Sequence, residues 1–427
     1  MTTHSGMLAP TRLLPAVSRS NRDARPFVVV AAAQNDSHAY EAVAAAVRSV
    51  VDHLEPKLSS LVKRGDRVFL KVNMGCSGYR QPEERYTSHP AYVQAIIECL
   101  VDCGARVTFG DDVSRTAHYE RIWQKTGMSD VARRTGARLV DFVQAGGREV
   151  RGFLHFPRTY LVTNLALDTD VVVNAASSRS LSPVILSGAV KNMFGTVLGL
   201  RKLRIHKLFP DPSDFARVIA DICRVVRPTV SFLDLTTVIE GQGVAPAIRN
   251  VGLILGSTDP VALDTVAAHS IGYEELQIWT NIHGEAMGLG CNRIDRISVR
   301  GEDWSKFEPK HLRWPELPMR VRETPIAQIS RRLNATVFRP RPVVARHRCT
   351  GCGECANRCP VGAIQQGPDK KVSINLKTCA DCGCCLRVCG VGAVQSEFVG
   401  TGRFLRGLIG PRNIGAVEDA NVMASTQ

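Results

Sequence analysis

The sequence lacks the features of a membrane or exported protein. No apolar run reaches the length needed to cross a bilayer. Residues 1–26 contain no compact apolar stretch, and Arg12, Arg19, Arg22 and Arg25 never stand side by side, so neither a Sec nor a twin-arginine signal is expected. This segment reads as a disordered N-terminal extension. The Gly-x-x-x-x-Gly-Lys-Ser/Thr order of a P-loop is missing, and no strand pattern carries Gly-x-Gly-x-x-Gly. A nucleotide site of either common kind is therefore unsupported. No aromatic and basic interleaving and no helix-turn-helix pattern accompanies the positive charge, which argues against nucleic acid as a partner.

Cysteine, in contrast, is plentiful. Eight of fourteen cysteines form a block that repeats itself thirty residues later. The first copy is Cys349-x-x-Cys352-x-x-Cys355-x-x-x-Cys359-Pro360, and the second is Cys379-x-x-Cys382-x-x-Cys385-x-x-x-Cys389-Gly390. The repeat continues past the cysteines, with Val361-Gly362-Ala363-Ile364-Gln365 answered by Val391-Gly392-Ala393-Val394-Gln395. This is the spacing of a two-cluster bacterial ferredoxin, in which three closely spaced thiolates wrap one cubane and the fourth comes from the other motif. The expected sets are Cys349, Cys352, Cys355 and Cys389 for one [4Fe–4S] cluster, and Cys379, Cys382, Cys385 and Cys359 for the other. Gly351, Gly353 and Gly383 keep side chains away from the crowded cluster loops. Zinc is the rival ligand, but zinc sites use separated cysteine pairs rather than runs of three plus one. Cys384 falls outside the repeat and is expected not to be a ligand. Reduced thiols suit a cytoplasmic address.

Net charge is +14. Between Arg320 and Arg348 eight arginines face one acidic residue, Glu323, and Pro325, Pro340 and Pro342 interrupt the stretch. Residues 316–344 read as a basic Pro/Arg linker, either a tether or a docking surface for an acidic electron carrier such as a ferredoxin or flavodoxin. The cluster module is placed at 345–397 and a tail at 398–427.

Residues 27–315 alternate short β-branched runs with helical periodicity. Phe27–Ala31, Arg67–Val72, Arg106–Gly110, Arg138–Val143, Asp170–Asn174, Thr229–Leu233 and Gly252–Leu255 read as strands. The expected fold class is α/β: a mostly parallel open sheet with helices on both faces, followed by a small α+β two-cluster module. Ligands in such sheets bind at the carboxyl ends of strands, which singles out Lys71, Asn73, Asp111, Asp112, Asn174 and Asp234. The richest chemistry follows Asn174. Ser187-Gly188-Ala189-Val190-Lys191-Asn192-Met193-Phe194-Gly195 leads to Lys202 and His206, combining cations with glycines that admit close backbone approach. His89, before Pro90, stands at a helix start, where it either caps the helix or faces the strand ends. Asp259-Pro260 reads as a helix cap with proline at the first helical position.

At these residues the chain resembles the DUF362 domain proteins, many of which carry a C-terminal double-cluster ferredoxin module. The most specific match is Gly188–Gly195 with Lys202 and His206. Lys71-Val72-Asn73, Thr87-Ser88-His89-Pro90, Glu240-Gly241-Gln242-Gly243 and Asp259–Asp264 support it. The family usually has Lys-Pro-Asn at the first of these and a Lys-x-Lys-Thr-His stretch where this chain has Ser177-Ser178-Arg179-Ser180-Leu181, so that lysine and histidine are absent here. The expected activity is electron transfer from an external carrier through two clusters to a small molecule in the α/β domain. Lys191, His206 and Lys71 are the catalytic candidates, and Asn73, Asn192, Lys202, His89 and Asp111 the substrate-binding ones. The alternative is an electron-transfer or adaptor protein without turnover of its own. A flavin needs no fixed motif, and none points to one.

Overall fold

The structure, a computed structural model, describes residues 25–33, 39–74, 87–112, 119–180, 186–209, 211–240, 247–274, 277–307, 340–357, 359, 362–379, 385–386 and 389–398. Residues 1–24, most of the 316–344 linker, Cys76, Cys382, Cys384, Gly383 and the tail beyond Phe398 lie outside the described residues.

Strands are numbered in chain order. β1 (Phe27–Ala32), β2 (Arg67–Lys71), β3 (Arg106–Gly110) and β4 (Arg138–Leu139) precede a hairpin of β5 (Gly147–Arg151) and β6 (Thr159–Thr163). β7 (Val171–Ser177), the short pair β8 (Arg179–Ser180) and β9 (Leu186–Ser187), then β10 (Val230–Glu240), β11 (Ala247–Ser257) and β12 (Ser298–Gly301) complete the domain. Eight of these form one sheet in the order β12-β1-β11-β10-β7-β2-β3-β4. From β10 to β4 every neighbour is parallel, as is β1 with β12, while β11 runs antiparallel to both β1 and β10.

Alternation along each strand feeds both faces. Val68, Leu70 and Val173 join the core under the helices Tyr40–His53 and Pro90–Asp102; Phe69 and Val172 join the opposite core, under Pro212–Val226. A sheet buried on both faces explains why its strands read as near-continuous apolar runs. Local signals set the helix ends. His89 and Pro90 start one helix, and Gly104, at φ 80°, follows its end. Asp259 accepts hydrogen bonds from Val261 N and Ala262 N with Pro260 in the first turn.

One strand is shorter than the sequence suggests. Arg138–Val143 pairs only over Arg138–Leu139, because Asp141 caps a short helix, Phe142–Ala145, by accepting from Val143 N at 2.7 Å. A capped turn outcompetes the β-branched run there.

The C-terminal module contains β13 (Pro340–Val344), the helical turn Glu354–Asn357, β14 (Ile364–Gln366), β15 (Val372–Ile374) and β16 (Val394–Phe398). β13 pairs antiparallel with β16, and β14 with β15. The last five residues of the stretch read as linker are thus a strand of the module. Proline is tolerated there because a two-stranded ribbon is all edge.

Candidate functional sites at the strand ends and in the cysteine module

Lys71, Asn174 and Ser231 stand in one row across β2, β7 and β10. Asn174 Nδ2 donates to Ser231 Oγ at 3.2 Å and to Ala189 O at 2.9 Å. Asn192 Nδ2 donates to Asn174 Oδ1 at 2.8 Å and Lys71 O at 3.3 Å, while Lys71 Nζ donates to Asn192 Oδ1 at 3.3 Å. The Gly188–Gly195 segment therefore lies directly over the row, on the same face of the sheet as Lys71. Two glycines permit that approach. A Cβ on Gly195 would come within 2.6 Å of Lys71 Cε and Nζ, and one on Gly188 within 2.2 Å of Asp264 Oδ1.

Two consecutive carboxylates after β3 each hold a lysine. Lys71, 1% exposed, sits 2.7 Å from Asp111 Oδ1 and donates to Val72 O at 2.5 Å. Asp111 Oδ2 accepts from Met74 N at 2.7 Å. Burial lowers the Lys71 pKa, and Asp111 opposes that shift. Lys202 Nζ lies 3.3 Å from Asp112 Oδ2 and donates to Asp112 O at 2.9 Å; Asp112 also accepts the Gly199 amide. Lys71 and Lys202, two of the candidate cations, are thus engaged by aspartates inside the protein.

Lys191 is half-buried, and its charge reaches His206. The His206 ring packs against Phe215 and Phe194, with centroids 4.2 and 5.5 Å away, although the residue keeps an exposed edge. Desolvation of its faces, then the charges of Lys191 and Lys202, lower its pKa, so the ring is neutral at pH 7. Asp264, fully buried on the helix Pro260–Ser270, accepts from Ala189 N at 2.6 Å and Val190 N at 3.0 Å. It fixes the start of the turn that carries Lys191 and Asn192. Burial pushes its pKa up to about 7.

Asn73 sits in a seam of hydroxyls. Its amide donates to Ser88 Oγ at 2.9 Å, and Ser177 Oγ donates to Ser88 Oγ at 3.1 Å. The buried Thr87 and Ser178 hydroxyls nearby in sequence have no hydrogen-bond partner among the described residues. His89 acts as a cap: its Nδ1 accepts from Ala91 N at 3.3 Å. Sequence reading missed Ser231, and it quoted Ser88 and Ser177 only within longer segments, with no role of their own. Only the strand-end rule points near Ser177, and nothing in the local sequence separates Ser231 from core.

In the module, Cys349, Cys352, Cys355 and Cys389 line one cavity together with Val372, Val391, Ala393 and Val394. Three come from the first motif and one from the second. The second set is described only in part, with Cys359, Cys379 and Cys385 placed and Cys382 outside the described residues. The repeat beyond the ligands has a local cause. Ala363 N donates to Cys359 Sγ at 3.2 Å, and Ala393 N to Cys389 Sγ at 3.1 Å, each across a glycine at φ 60° (Gly362 and Gly392). Amide hydrogen bonds from Val372 and Gly351 likewise lower the Cys349 pKa. Four thiols around one cavity, with amide donors at Cys349 and Cys389, fit a thiolate-bound cluster. Among the described residues no group of three or more His, Cys, Asp or Glu side chains forms a single-ion site; a lone zinc would need sulfurs within about 2.3 Å of one point.

Comparison with known proteins agrees with this division. Residues 68–269 match the Domain of unknown function DUF362, and residues 348–393 match the 4Fe-4S dicluster domain. The chain thus carries a match to the DUF362 domain, followed by a match to a 4Fe-4S dicluster domain. The DUF362 match spans the whole row from Lys71 to Ser231, the Gly188–Gly195 segment and Asp264. A relative, the thylakoid-associated protein sll1697 of Synechocystis sp., is 29% identical over 257 residues, covering 59% of this chain and 78% of that protein. Among solved structures, the lactate racemase apoprotein of Thermoanaerobacterium thermosaccharolyticum aligns with a TM-score of 0.40 at 11% identity, over 60% of this chain and 59% of that one. A Thermotoga maritima protein aligns at 0.34 and 14% identity, over 63% and 62%. The chain spans less than two thirds of either structure, and likenesses so slight carry no argument about activity. Among the described residues no helix is long and apolar enough to cross a membrane.

Proposed function

We propose that this protein is an iron–sulfur oxidoreductase. It takes single electrons from an external ferredoxin or flavodoxin and delivers them to a small molecule at the strand ends of the DUF362 domain. The observation that carries this reading is the cavity shared by Cys349, Cys352, Cys355 and Cys389, the cross-motif arrangement of a two-cluster ferredoxin. When bound, [4Fe–4S] clusters supply one-electron transfer. Cys379, Cys382, Cys385 and Cys359 hold the second cluster in this reading, and no flavin is invoked. At the strand ends, the Lys191 ammonium stabilises negative charge on a carbonyl or similar oxygen. The His206 ring, neutral at pH 7, exchanges the proton that accompanies reduction. Lys71, held by Asp111 and Asn192, positions the segment carrying Lys191. Asn73, Asn192, Lys202, Asp111 and His89 shape the site around it. Thiolate ligands support a reducing cytoplasm as its address; attachment to a membrane surface, suggested by the relative's name, is the alternative.

One observation favours a second reading, an electron-transfer adaptor without turnover. Lys71 and Lys202 already have protein carboxylates as partners, as expected of a purely structural network. Anaerobic purification separates the readings. Iron should be found at about eight atoms per chain, four per cubane, and mass spectrometry should find a small molecule whose retention depends on Lys191. Zinc in place of iron overturns both readings, whereas eight irons with no ligand and no Lys191 dependence selects the adaptor.

A further inference from the structure

We propose that the mouth of the cavity lined by Cys349, Cys352, Cys355 and Cys389 is the docking face for an acidic one-electron carrier protein. This rests on the electron-transfer reading and adds which cysteine set meets the carrier. Two features of the mouth support it. Cys352 is exposed, and Val391 beside it is 43% exposed. Among the described residues no layer of protein covers Cys352, so a carrier can approach a ligating sulfur there and bury a small apolar contact as it does so.

The rim is also cationic. Arg346, Arg348 and Lys370 are exposed. Arg348 Nη2 donates to Val391 O at 3.3 Å, and Lys371 Nζ donates to Cys349 O. The side chain and backbone of Lys370 lie against Gly351, where an added Cβ would meet Lys370 O at 2.8 Å. Against these stand Glu354, which lines the cavity, and Asp369, which is paired with Arg346 at 2.5 Å. Four cations around a redox cavity speed and orient encounter with an acidic partner. In the docked pair one electron leaves the reduced carrier and enters the centre held by these four cysteines. The carrier is oxidised by one, the centre is reduced by one, and no bond or proton moves. A membrane surface would also attract cations, but it would gain nothing from their placement around this cavity.

The test uses the anaerobically prepared full chain and an acidic flavodoxin, with affinity measured by calorimetry and iron content checked for every variant. The double variant Arg348→Glu with Lys370→Glu, and Lys370→Glu alone, are compared with Lys377→Glu, an exposed cation near Cys379 in the second motif. The double variant should keep its iron and bind roughly tenfold more weakly, since two rim attractions become repulsions. Lys370→Glu should fall between it and the wild type, and Lys377→Glu should stay close to wild type. Wild-type affinity should fall as salt rises. Equal weakening by Lys377→Glu, salt-independent binding, or no binding to an iron-replete protein would overturn the docking face while leaving electron transfer in place. So would rim-dependent binding to vesicles of phosphatidylcholine and phosphatidylglycerol with none to flavodoxin. A wild-type chain without iron would instead sink the reading on which it rests.

Discussion

The strand-end site and the cysteine cavity are both polar groups embedded in apolar surroundings, but they are satisfied differently. At the strand ends the protein supplies both halves of each contact: Lys71 with Asp111, Lys202 with Asp112, Asn174 with Asn192 and Ser231. In the cavity the protein supplies thiols and the amides that face them. Among the described residues, three of the seven buried residues of the module core are themselves cysteines. The sheet domain has three apolar clusters of its own. One region meets its polar groups from within the protein, whereas the other presents its thiols to a shared cavity.

Removing iron should sharpen that contrast most. Oxidative chelation is expected to abolish the module's dispersed NMR signals while the DUF362 domain keeps its cooperative melting transition. Cys359→Ala should damage the cluster of Cys379, Cys382 and Cys385 before the other. A module that keeps its structure without iron would erase the distinction.

Next in size is Asp111→Ala, which strands the buried Lys71 ammonium. Urea unfolding should show a loss of about 3–5 kcal/mol, largely recovered by adding Lys71→Met. A loss below about 1 kcal/mol would mean that the pair is hydrated and open.

Asp264 gives a pH signature. Its folded pKa, raised from 3.8 to about 7 by burial, means that the protonated form is favoured in the fold. Its contribution to stability is therefore full below pH 3.8 and is lost as pH rises toward 7. Relative to Asp264→Asn, the wild type should lose on the order of 4 kcal/mol across that window, at about 1.4 kcal/mol per unit. A flat difference would show that the two amide hydrogen bonds outweigh burial.

Smaller still is Gly195→Ala. Its methyl group would meet Lys71 Cε and Nζ at 2.6 Å, and Lys71 has no room to move. A cost of about 1–3 kcal/mol is expected. The smallest effect on stability belongs to Lys191→Ala, within about 0.5 kcal/mol. The same change should remove on the order of 3 kcal/mol of ligand or transition-state binding. Normal binding with lowered stability would move Lys191 into the structural network.

Much of this was legible in the sequence, for reasons that differ between the regions. Cysteine spacing is local, so both motifs could be read directly, and the Val-Gly-Ala repeat beyond them marked amides that the structure aims at Cys359 and Cys389. The β-branched runs gave the strands, but alternation carries no direction, so antiparallel β11 between β1 and β10 could not be foreseen. At the strand ends Lys71 and Asp111 were both singled out as separate candidates. That they neutralise each other follows only once β2 and β3 lie side by side with Lys71 opposite Gly110. Only the partners of Asp264 were hidden, for the same reason: Ala189 and Val190 are remote in sequence.

The pairing of β13 with β16 has a consequence for how such proteins arise. Pro340 lies opposite Phe398, so the chain enters and leaves the cysteine module at one edge. A unit closed in this way can be carried as a cassette. Gene fusion can append it to an unrelated domain, or deletion can remove it, without opening a strand inside the host fold. The same sheet domain can therefore occur with or without the module, and a form without it becomes a control for what the strand-end site does alone.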